Sequence, residues 1–308
     1  MKRYCGRLFS EADLIRIRAL IEGCPQGSRR ELSRQVCREL SWFKPDGGLK
    51  DMSCRVAMLR MHRDGLIQLP ELSAPQPANF QRRPQHSTVS DPQPPITQAV
   101  HELPELKIEL VRGRANSRLW NEYIQRYHYL GHSPLPGAQL RYFVSLPAQP
   151  LALLGFGAAA WKTAPRDQFI GWNSAQRAAH LHLILNNARF LILPWVQSKG
   201  LASKILGRIA RQLPADWQQC YGYRPVLLET FVQSDRFRGT CYKAANWVHV
   251  GQTQGRGKLD VTHRHDQPIK DVWLYPLHRQ FRELLSHAPP HNPAPAHTTG
   301  PRQEPLPL

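Results

Sequence analysis

The sequence predicts an α+β chain: a basic helical module followed by a domain with a mixed sheet. Three observations carry this. Residues 1–70 hold three segments with apolar residues at helical spacing. Residues 71–103 carry Pro75, Pro77, Pro84, Pro92, Pro94 and Pro95, the composition of a semi-extended linker. From Ile108 onward short apolar runs alternate with helix-period segments, the order expected of a sheet with helices on its faces.

Within the module, Ser10 to Glu22 reads as a helix with Leu14, Ile17 and Ile21 inward. Ser28-Arg-Arg-Glu31 is a capping box that opens a second helix, buried through Leu32, Val36 and Leu40. A third helix runs from about Asp51 to Arg63, with Met52, Val56 and Leu59 inward and Arg55, Arg60 and Arg63 outward. Asp64-Gly65 then turns into a short strand, Leu66 to Leu69. Three helices and a strand resemble a winged helix-turn-helix. That resemblance implies a third helix in a DNA major groove, its arginines on phosphates or guanine edges. Up to Pro70 there are 14 Lys/Arg against 8 Asp/Glu, the sign such a module needs. Ser41 to Lys50 is longer than a tight helix-turn-helix turn. The alternative is a helical module for protein contacts, its basic faces simply solvated.

The second domain is expected over residues 104–285. Ile108 to Val111 suits a first strand. Asn116 or Ser117 caps a helix through Leu130 that carries Leu119, Tyr123, Ile124 and Tyr127. Gln139 to Leu146 and Leu151 to Trp161 read as a hairpin-like strand pair. A helical insert follows, about Ser174 to Leu185, and then a strand at Phe190 to Leu193. Later come a strand from Pro225 to Val232, a helix from Gly239 to Trp247, and strands at Val248 to Val250 and Asp271 to Leu277. Residues 286–308 are Pro, His, Ala and Thr with almost no large apolar residue, so they read as a disordered tail.

The chain has 308 residues, 41% of them apolar, and a net charge of +18. That balance favours a polyanionic partner, nucleic acid above all. No apolar run of about 18 residues is present and the N-terminus lacks a signal-peptide core. Six scattered cysteines with no C-x-x-C pair argue against a zinc ribbon and read as reduced thiols of a cytoplasmic protein.

The densest chemistry lies between Ala188 and Leu213. After the strand, Val196 to Ala202 forms a glycine turn, and Leu201, Ile205, Ile209 and Leu213 mark an amphipathic helix. The first amides of a helix lack internal partners and sit at the positive end of its dipole. Gly200 and Ala202 let an anion approach them, and Lys199 adds a full charge. The residues Gln197, Ser198, Lys199, Gly200, Leu201 and Ala202 therefore read as a phosphate cradle. No Gly-Lys-Ser/Thr ends it, so it is not a Walker loop. The alternative is an ordinary strand-to-helix turn.

Other candidates surround it. Glu229 interrupts an apolar strand, where a charge is costly unless paired. It reads as a general base with a raised pKa, or as one half of a buried ion pair with Arg189, Arg236 or Arg238. His128 and His132 have i, i+4 spacing, but no Glu stands between them and Gly131 ends the helix, so no metal is expected and His128 is assigned to substrate. Trp172, Asn173, Arg177, His180, Asn186 and Asn187 combine aromatic, amide and cationic groups, the set a flipped base would need. Helix capping and surface polarity are the alternative for them. Gly251 to Lys258 is a basic loop in which Arg256 and Lys258 would meet a phosphate backbone.

The spacing Gln197-x-x-Gly200-x-Ala202 resembles the Q/R-x-x-G-x-G/A signature of GNAT-type N-acyltransferases, whose loop holds the pyrophosphate of acetyl-CoA. The resemblance implies a GNAT-like fold, acetyl-CoA or another acyl-CoA as cofactor, and Tyr242 as general acid, since a tyrosine precedes the Gly/Asn-aromatic pair at that position in the family. Six pieces are also similar to the DruA family of Druantia anti-phage systems. They are Arg126 to Gly131, Asn187 to Pro194, Glu229 to Val232, Arg236 to Tyr242, Ala245 to Trp247 and Gly255 to Lys258, and the run they mark covers about half the chain. The expectation is a defence protein whose acyltransferase-like domain works on a nucleic-acid base or a nucleic-acid-associated protein, alongside other defence-system components. A non-catalytic DNA-binding component and a transposition accessory protein of a mobile element are the alternatives.

Overall fold

The computed structural model describes residues 2–24, 27–44, 47–70, 86–147, 149–255 and 267–287. The chain divides into two compact units, Met1–Arg82 and Arg83–Leu308.

The first unit opens with a hairpin that the sequence pattern does not signal. β1 (Lys2–Tyr4) and β2 (Arg7–Phe9) are antiparallel. Cys5 and Gly6 join them with φ of 47° and 83°, the positive pair that a two-residue hairpin turn requires. Three helices follow: α1 (Glu11–Glu22), α2 (Arg29–Glu39) and α3 (Asp51–Arg63). Ser10 and Asp13 cap α1 reciprocally, and Ser28 Oγ accepts from the Glu31 amide at the start of α2. Leu14, Ile17, Leu32 and Val36 are buried as expected.

The expected inward face of α3 holds only at Leu59, which packs partly buried against the core. Met52 and Val56 are 60% and 37% exposed, and Cys54, Ala57, Met58 and Met61 are buried instead. Both stripes have helical spacing, and the one with small Cys and Ala lets α3 approach its neighbours. Residues 66–69 form no strand. Ile67 and Leu69 are buried, but side chains satisfy their backbone: Arg18 Nε donates to the Leu66 carbonyl at 2.9 Å and the Leu69 amide donates to His62 Nδ1 at 3.3 Å. A hairpin ahead of α1, with no strand after α3 among the described residues of this unit, departs from the winged-helix expectation.

The second unit runs β3 (Lys107–Leu110), α4 (Gly113–Tyr127), β4 (Gln139–Ser145), β5 (Pro150–Ala158), α5 (Ala164–Ile170), α6 (Ser174–His180), β6 (Ile184–Ile192), α7 (Leu201–Tyr221), β7 (Leu227–Gln233), α8 (Thr240–Ala244), β8 (Val248–Gln252), β9 (Lys270–Pro276) and α9 (Phe281–Ser286). The seven strands form one sheet in the order β3-β4-β5-β6-β7-β9-β8. All neighbours are antiparallel except β6 and β7. Alternation along β4 sends Phe143 to α4, where its ring lies 6.3 Å from that of Tyr123. Tyr142 faces α7, where its hydroxyl donates to Asp216 at 3.0 Å.

Three boundaries differ from expectation. α4 starts at Gly113, so Asn116 and Ser117 are inside it and cap nothing. Ser117 Oγ instead accepts from Arg141 at 2.8 Å, and the helix ends at Tyr127 rather than Leu130. The helical insert stops at His180, and β6 begins at Ile184, so Asn186 and Asn187 are strand residues. The apolar run Leu181, Leu183, Ile184, Leu185 does not distinguish helix from strand by itself.

The third difference is the linker. Its described part, residues 86–103, packs on the second unit. Glu122 is buried and accepts from the amide and hydroxyl of Ser87 and the hydroxyl of Ser90. Arg126 pairs with Asp91 at 2.8 Å. Ile96 is 7% exposed and bridges Val196: its amide donates to the Trp195 carbonyl at 2.9 Å, and the Gln197 amide donates back to its carbonyl at 2.8 Å. A proline count signals extension, and an extended segment can also lie along a domain as a strap.

Candidate functional site

The turn before α7 has the geometry of an anion cradle. Gly200 is the N-cap with φ 82°, a conformation that strains any residue with a Cβ. Leu201 and Lys204 amides donate to the Ser198 and Gly200 carbonyls at 3.3 and 3.1 Å. Among the described residues no acceptor faces the amides of Ala202 and Ser203. Gln197, Lys199 and Gly200 are exposed, and Ser198 Oγ is buried with no partner. The strap braces this turn. Val100 lies in contact range of Gly200, and Lys204 Nζ donates to the Val100 carbonyl at 3.2 Å. Lys204 is therefore committed to the scaffold, whereas Lys199 pairs with no described carboxylate. Amides without acceptors, the Lys199 charge and the partnerless Ser198 hydroxyl suit an anion such as a diphosphate.

Beyond the cradle, β6 and β7 part. They pair only from Ile184 with Leu227 to Asn186 with Glu229. The separation coincides with a bulge in β6, where Phe156 faces Asn187 and Gly155 faces Arg189. Tyr242, from α8, is buried at this fork. Its hydroxyl donates to Asn187 Oδ1 at 3.0 Å and lies 3.5 Å from Thr230 Oγ1, which donates to the Asn187 carbonyl at 3.0 Å. Burial holds the phenol above its ordinary pKa. Tyr242 and Asn187, read separately from the sequence as acid and substrate residue, are thus one hydrogen-bonded group.

Glu229 sits elsewhere. Side chains alternate along β7, so Thr230 meets α8 and Glu229 turns to the other face of the sheet. There Oε2 lies 2.8 Å from Arg166 Nη1 and Oε1 accepts from the Ala160 amide at 2.7 Å; neither side chain of the pair is exposed. Burial raises the Glu229 pKa, and the adjacent guanidinium opposes that shift. Its partner is none of the three arginines considered from the sequence. Arg166 also binds Asp167 at 2.8 Å, and Asp167 binds Arg177 at 3.1 Å. The sequence signals for this network are Glu229 itself, inside an apolar strand, and the pair Arg166-Asp167 following another. Both carboxylate oxygens are engaged and Tyr242 is across the sheet, so Glu229 and Tyr242 do not form an acid–base pair around one substrate.

The remaining candidates diverge. Trp172 is buried under the Arg166 guanidinium, 5.6 Å from the ring centroid. Asn173 caps α6. His180 Nε2 lies 3.1 Å from the His287 carbonyl. His128 stacks on Tyr129 at 4.9 Å, and Tyr129 contacts Phe237 at 5.1 Å beneath Arg236. Burial, aided by the Arg189 charge, pulls the His128 pKa down to about 4. In the first unit Arg60 and Arg63 are exposed, while Arg55 pairs with Asp51 at 3.3 Å. Arg256 and Lys258 lie outside the described residues. Among those residues no group of three or more His, Cys, Asp or Glu is placed to hold a metal, and no helix is long and apolar enough to cross a membrane.

Solved structures similar to the chain include acetyltransferases. The ribosomal-protein-S18-alanine N-acetyltransferase from Escherichia coli is 11% identical, with 62% of this chain and all of that one covered at a TM-score of 0.37. The aminoglycoside acetyltransferase AAC(6')-Ib in complex with coenzyme A is 13% identical, with 58% and 98% covered at 0.38. An N-acetyltransferase from Staphylococcus aureus is 9% identical, with 56% and 99% covered at 0.33. Among curated proteins none matches the chain. The family model described as Druantia protein DruA matches residues 60–270, from the end of α3 to the start of β9. That span is more than half of the sequence and contains the cradle, the fork and the Arg166–Glu229 pair: the chain belongs to the DruA family.

Proposed function

We propose that this DruA-family chain is an anti-phage defence protein whose sheet domain binds an acyl-CoA at the turn before α7 and acts on or near nucleic acid. The observation that carries the reading is the turn itself: exposed Gly200 at φ 82°, acceptor-free amides at Ala202 and Ser203, and the Lys199 charge. These groups, with Gln197 and Ser198, would hold the diphosphate. When bound, the acyl-CoA supplies an electrophilic thioester carbonyl for an amine acceptor, a nucleic-acid base or a lysine of a nucleic-acid-associated protein. The net charge of +18 favours the polyanionic setting.

Tyr242 is the chain's own proton source in this reading. A phenol is protonated at neutral pH, as a donor must be, and the hydrogen bond that Oη donates to Asn187 Oδ1 orients it. Glu229 has no proton-transfer part; it ties β7 to α5. A second reading is binding without transfer, and the observation that favours it is that Tyr242 Oη is buried and already hydrogen-bonded. Isothermal titration with acetyl-CoA tests the first step, and an absence of heat at millimolar ligand with folded protein overturns it. Mass spectrometry of host and phage nucleosides and proteins, with and without the protein, separates the two readings. An acyl adduct supports transfer; binding with no adduct supports the second.

A further inference from the structure

We infer that a nucleic-acid phosphate docks on the guanidinium of Arg189, beside the gap between β6 and β7. Arg189 is 9% exposed, and no described carboxylate lies within ion-pair distance of it. Its acceptors are neutral: Nη1 donates to the Ala188 carbonyl and Nη2 to Ser133 Oγ, each at 2.8 Å. Nε is buried with no acceptor among the described residues. A guanidinium has five N–H hydrogens, so each Nη keeps one to offer. Burial lowers the Arg189 pKa, and only the Tyr129 phenol opposes that shift. A largely buried charge without a counter-ion is costly, and a bound anion would supply the missing partner.

The strand register places this charge. Arg141, Gly155 and Arg189 lie opposite one another on β4, β5 and β6, so they share one face of the sheet. Trp120 fills the space over Gly155, where a Cβ would come within 3.2 Å of its ring. The Arg141 guanidinium lies 5.3 Å from the Trp120 ring centroid and also has neutral partners, Asn121 Oδ1 at 2.9 Å and Ser117 Oγ at 2.8 Å. Burial and then the Arg141 and Arg189 charges lower the His132 pKa, the mark of a positive field. Asn187 lies opposite Phe156, so the β6 bulge sends Asn187 and Arg189 to different faces. Past Asn186 the β7 side of β6 is unpaired, and that gap joins the Arg189 face to the Tyr242 face.

The loop after β7 stands at the open end of the fork. Arg236 is exposed, 5.1 Å from the Tyr129 ring centroid, and Phe237 is 46% exposed. The neighbouring acid, Asp235, accepts from Gln233 Nε2 at 3.3 Å. With Arg141, Arg189 and Arg236 against that one carboxylate, a lysine is repelled and a phosphate is attracted. The open ring of Phe237 and the net charge of +18 favour a nucleotide over an acidic peptide. The inference deepens the proposed function by naming a nucleic acid, not a lysine, as what reaches the fork. It rests on the nucleic-acid half of that reading and not on acyl-CoA binding.

The test uses the full chain and a single DNA strand of about 12 nucleotides carrying bromouracil. The strand should photocrosslink to the peptides holding Tyr129 or Phe237. Arg189→Met should remove that crosslink, weaken binding about fivefold and lower the slope of log K against log salt by about 0.7, one phosphate's share. Its melting temperature should stay within about 2 °C, because the change also removes an uncompensated charge. A merely structural Arg189 would give the reverse, a fall of more than about 5 °C with crosslink and slope unchanged, and that result overturns the inference. If Arg189→Met does not fold, Arg236→Gln, at an exposed position, should show the same losses of crosslink and slope. Crosslinks confined to residues 1–70 also overturn it. Equal competition by a polyglutamate peptide would assign the site to carboxylates, and equal competition by inorganic phosphate would assign it to the free ion; either overturns strand docking. Acetyl-CoA titration of the same preparations keeps the readings apart. CoA binding without the crosslink removes only this inference, and the crosslink without CoA binding removes only the acyl-CoA reading.

Discussion

Arg166 and Glu229 face each other at 2.8 Å across the α5 side of the sheet, with no part of either side chain exposed. Removing one partner leaves an uncompensated buried charge, which costs about 3–5 kcal/mol. Arg166→Met is therefore expected to destabilise the sheet domain by that amount in urea unfolding followed by tryptophan fluorescence. The double variant Arg166→Met with Glu229→Gln should recover part of the loss. If Arg166→Met alone shifts the transition by under about 1 kcal/mol, the pair does not carry the fold.

Tyr242→Phe removes the donor to Asn187 Oδ1 at the fork of β6 and β7. A buried acceptor left unsatisfied costs about 1–3 kcal/mol. The variant should lose that much stability while its acetyl-CoA isotherm stays unchanged, because the cradle is on a different element. If acyl transfer occurs, it should fall in rate with little change in the Michaelis constant for the cofactor.

The cradle makes two separable predictions. Lys199→Glu alters an exposed charge, so it should leave the melting temperature within about 2 °C and weaken CoA binding roughly tenfold. Gly200→Ala places a Cβ at φ 82° and should cost about 1–2 kcal/mol of stability as well as affinity. Calorimetry for binding and thermal melting for stability check both. Unchanged affinity in Lys199→Glu would remove Lys199 from the site.

His128 sets an acid limit. Its folded pKa, about 4, lies below the usual 6.5 because the ring is largely buried and faces the Arg189 charge. Between those values the unfolded chain binds a proton that the folded chain does not, so stability falls as pH drops from 6.5 towards 4. At pH 5 the loss is about 1–2 kcal/mol after allowing for partial exposure. His128→Asn should show a smaller decline in unfolding free energy between pH 7 and pH 5 than the natural chain.

The cradle is legible in the sequence because its signals are local: an apolar run, a glycine and a helix-period stripe within 26 residues. The seven strands are legible for the same reason, apart from the first half of β6. The unread features depend on partners far along the chain. Glu229 stands out as an anomaly in an apolar strand, but the arginine that answers it lies 63 positions upstream on a seven-residue helix. Proximity in sequence groups Asn187 with Trp172 and His180, and strand pairing carries it instead to Tyr242. On α3 two stripes of equal period compete, and only packing chooses between them. In residues 86–103 composition and role diverge: prolines forbid regular pairing over most of the segment, yet Ile96 alone makes two backbone bonds.

That strap moves the true beginning of the sheet domain. A shortened protein starting at Pro104, just ahead of β3, would strip Glu122 of its serine partners and unbrace the loop at Gly200. Such a fragment would be a poor stand-in for the whole: weak or missing cofactor binding in it would report the absent upstream residues, not the chemistry of the turn. Dissection of this family should therefore keep the segment from His86 attached to the sheet.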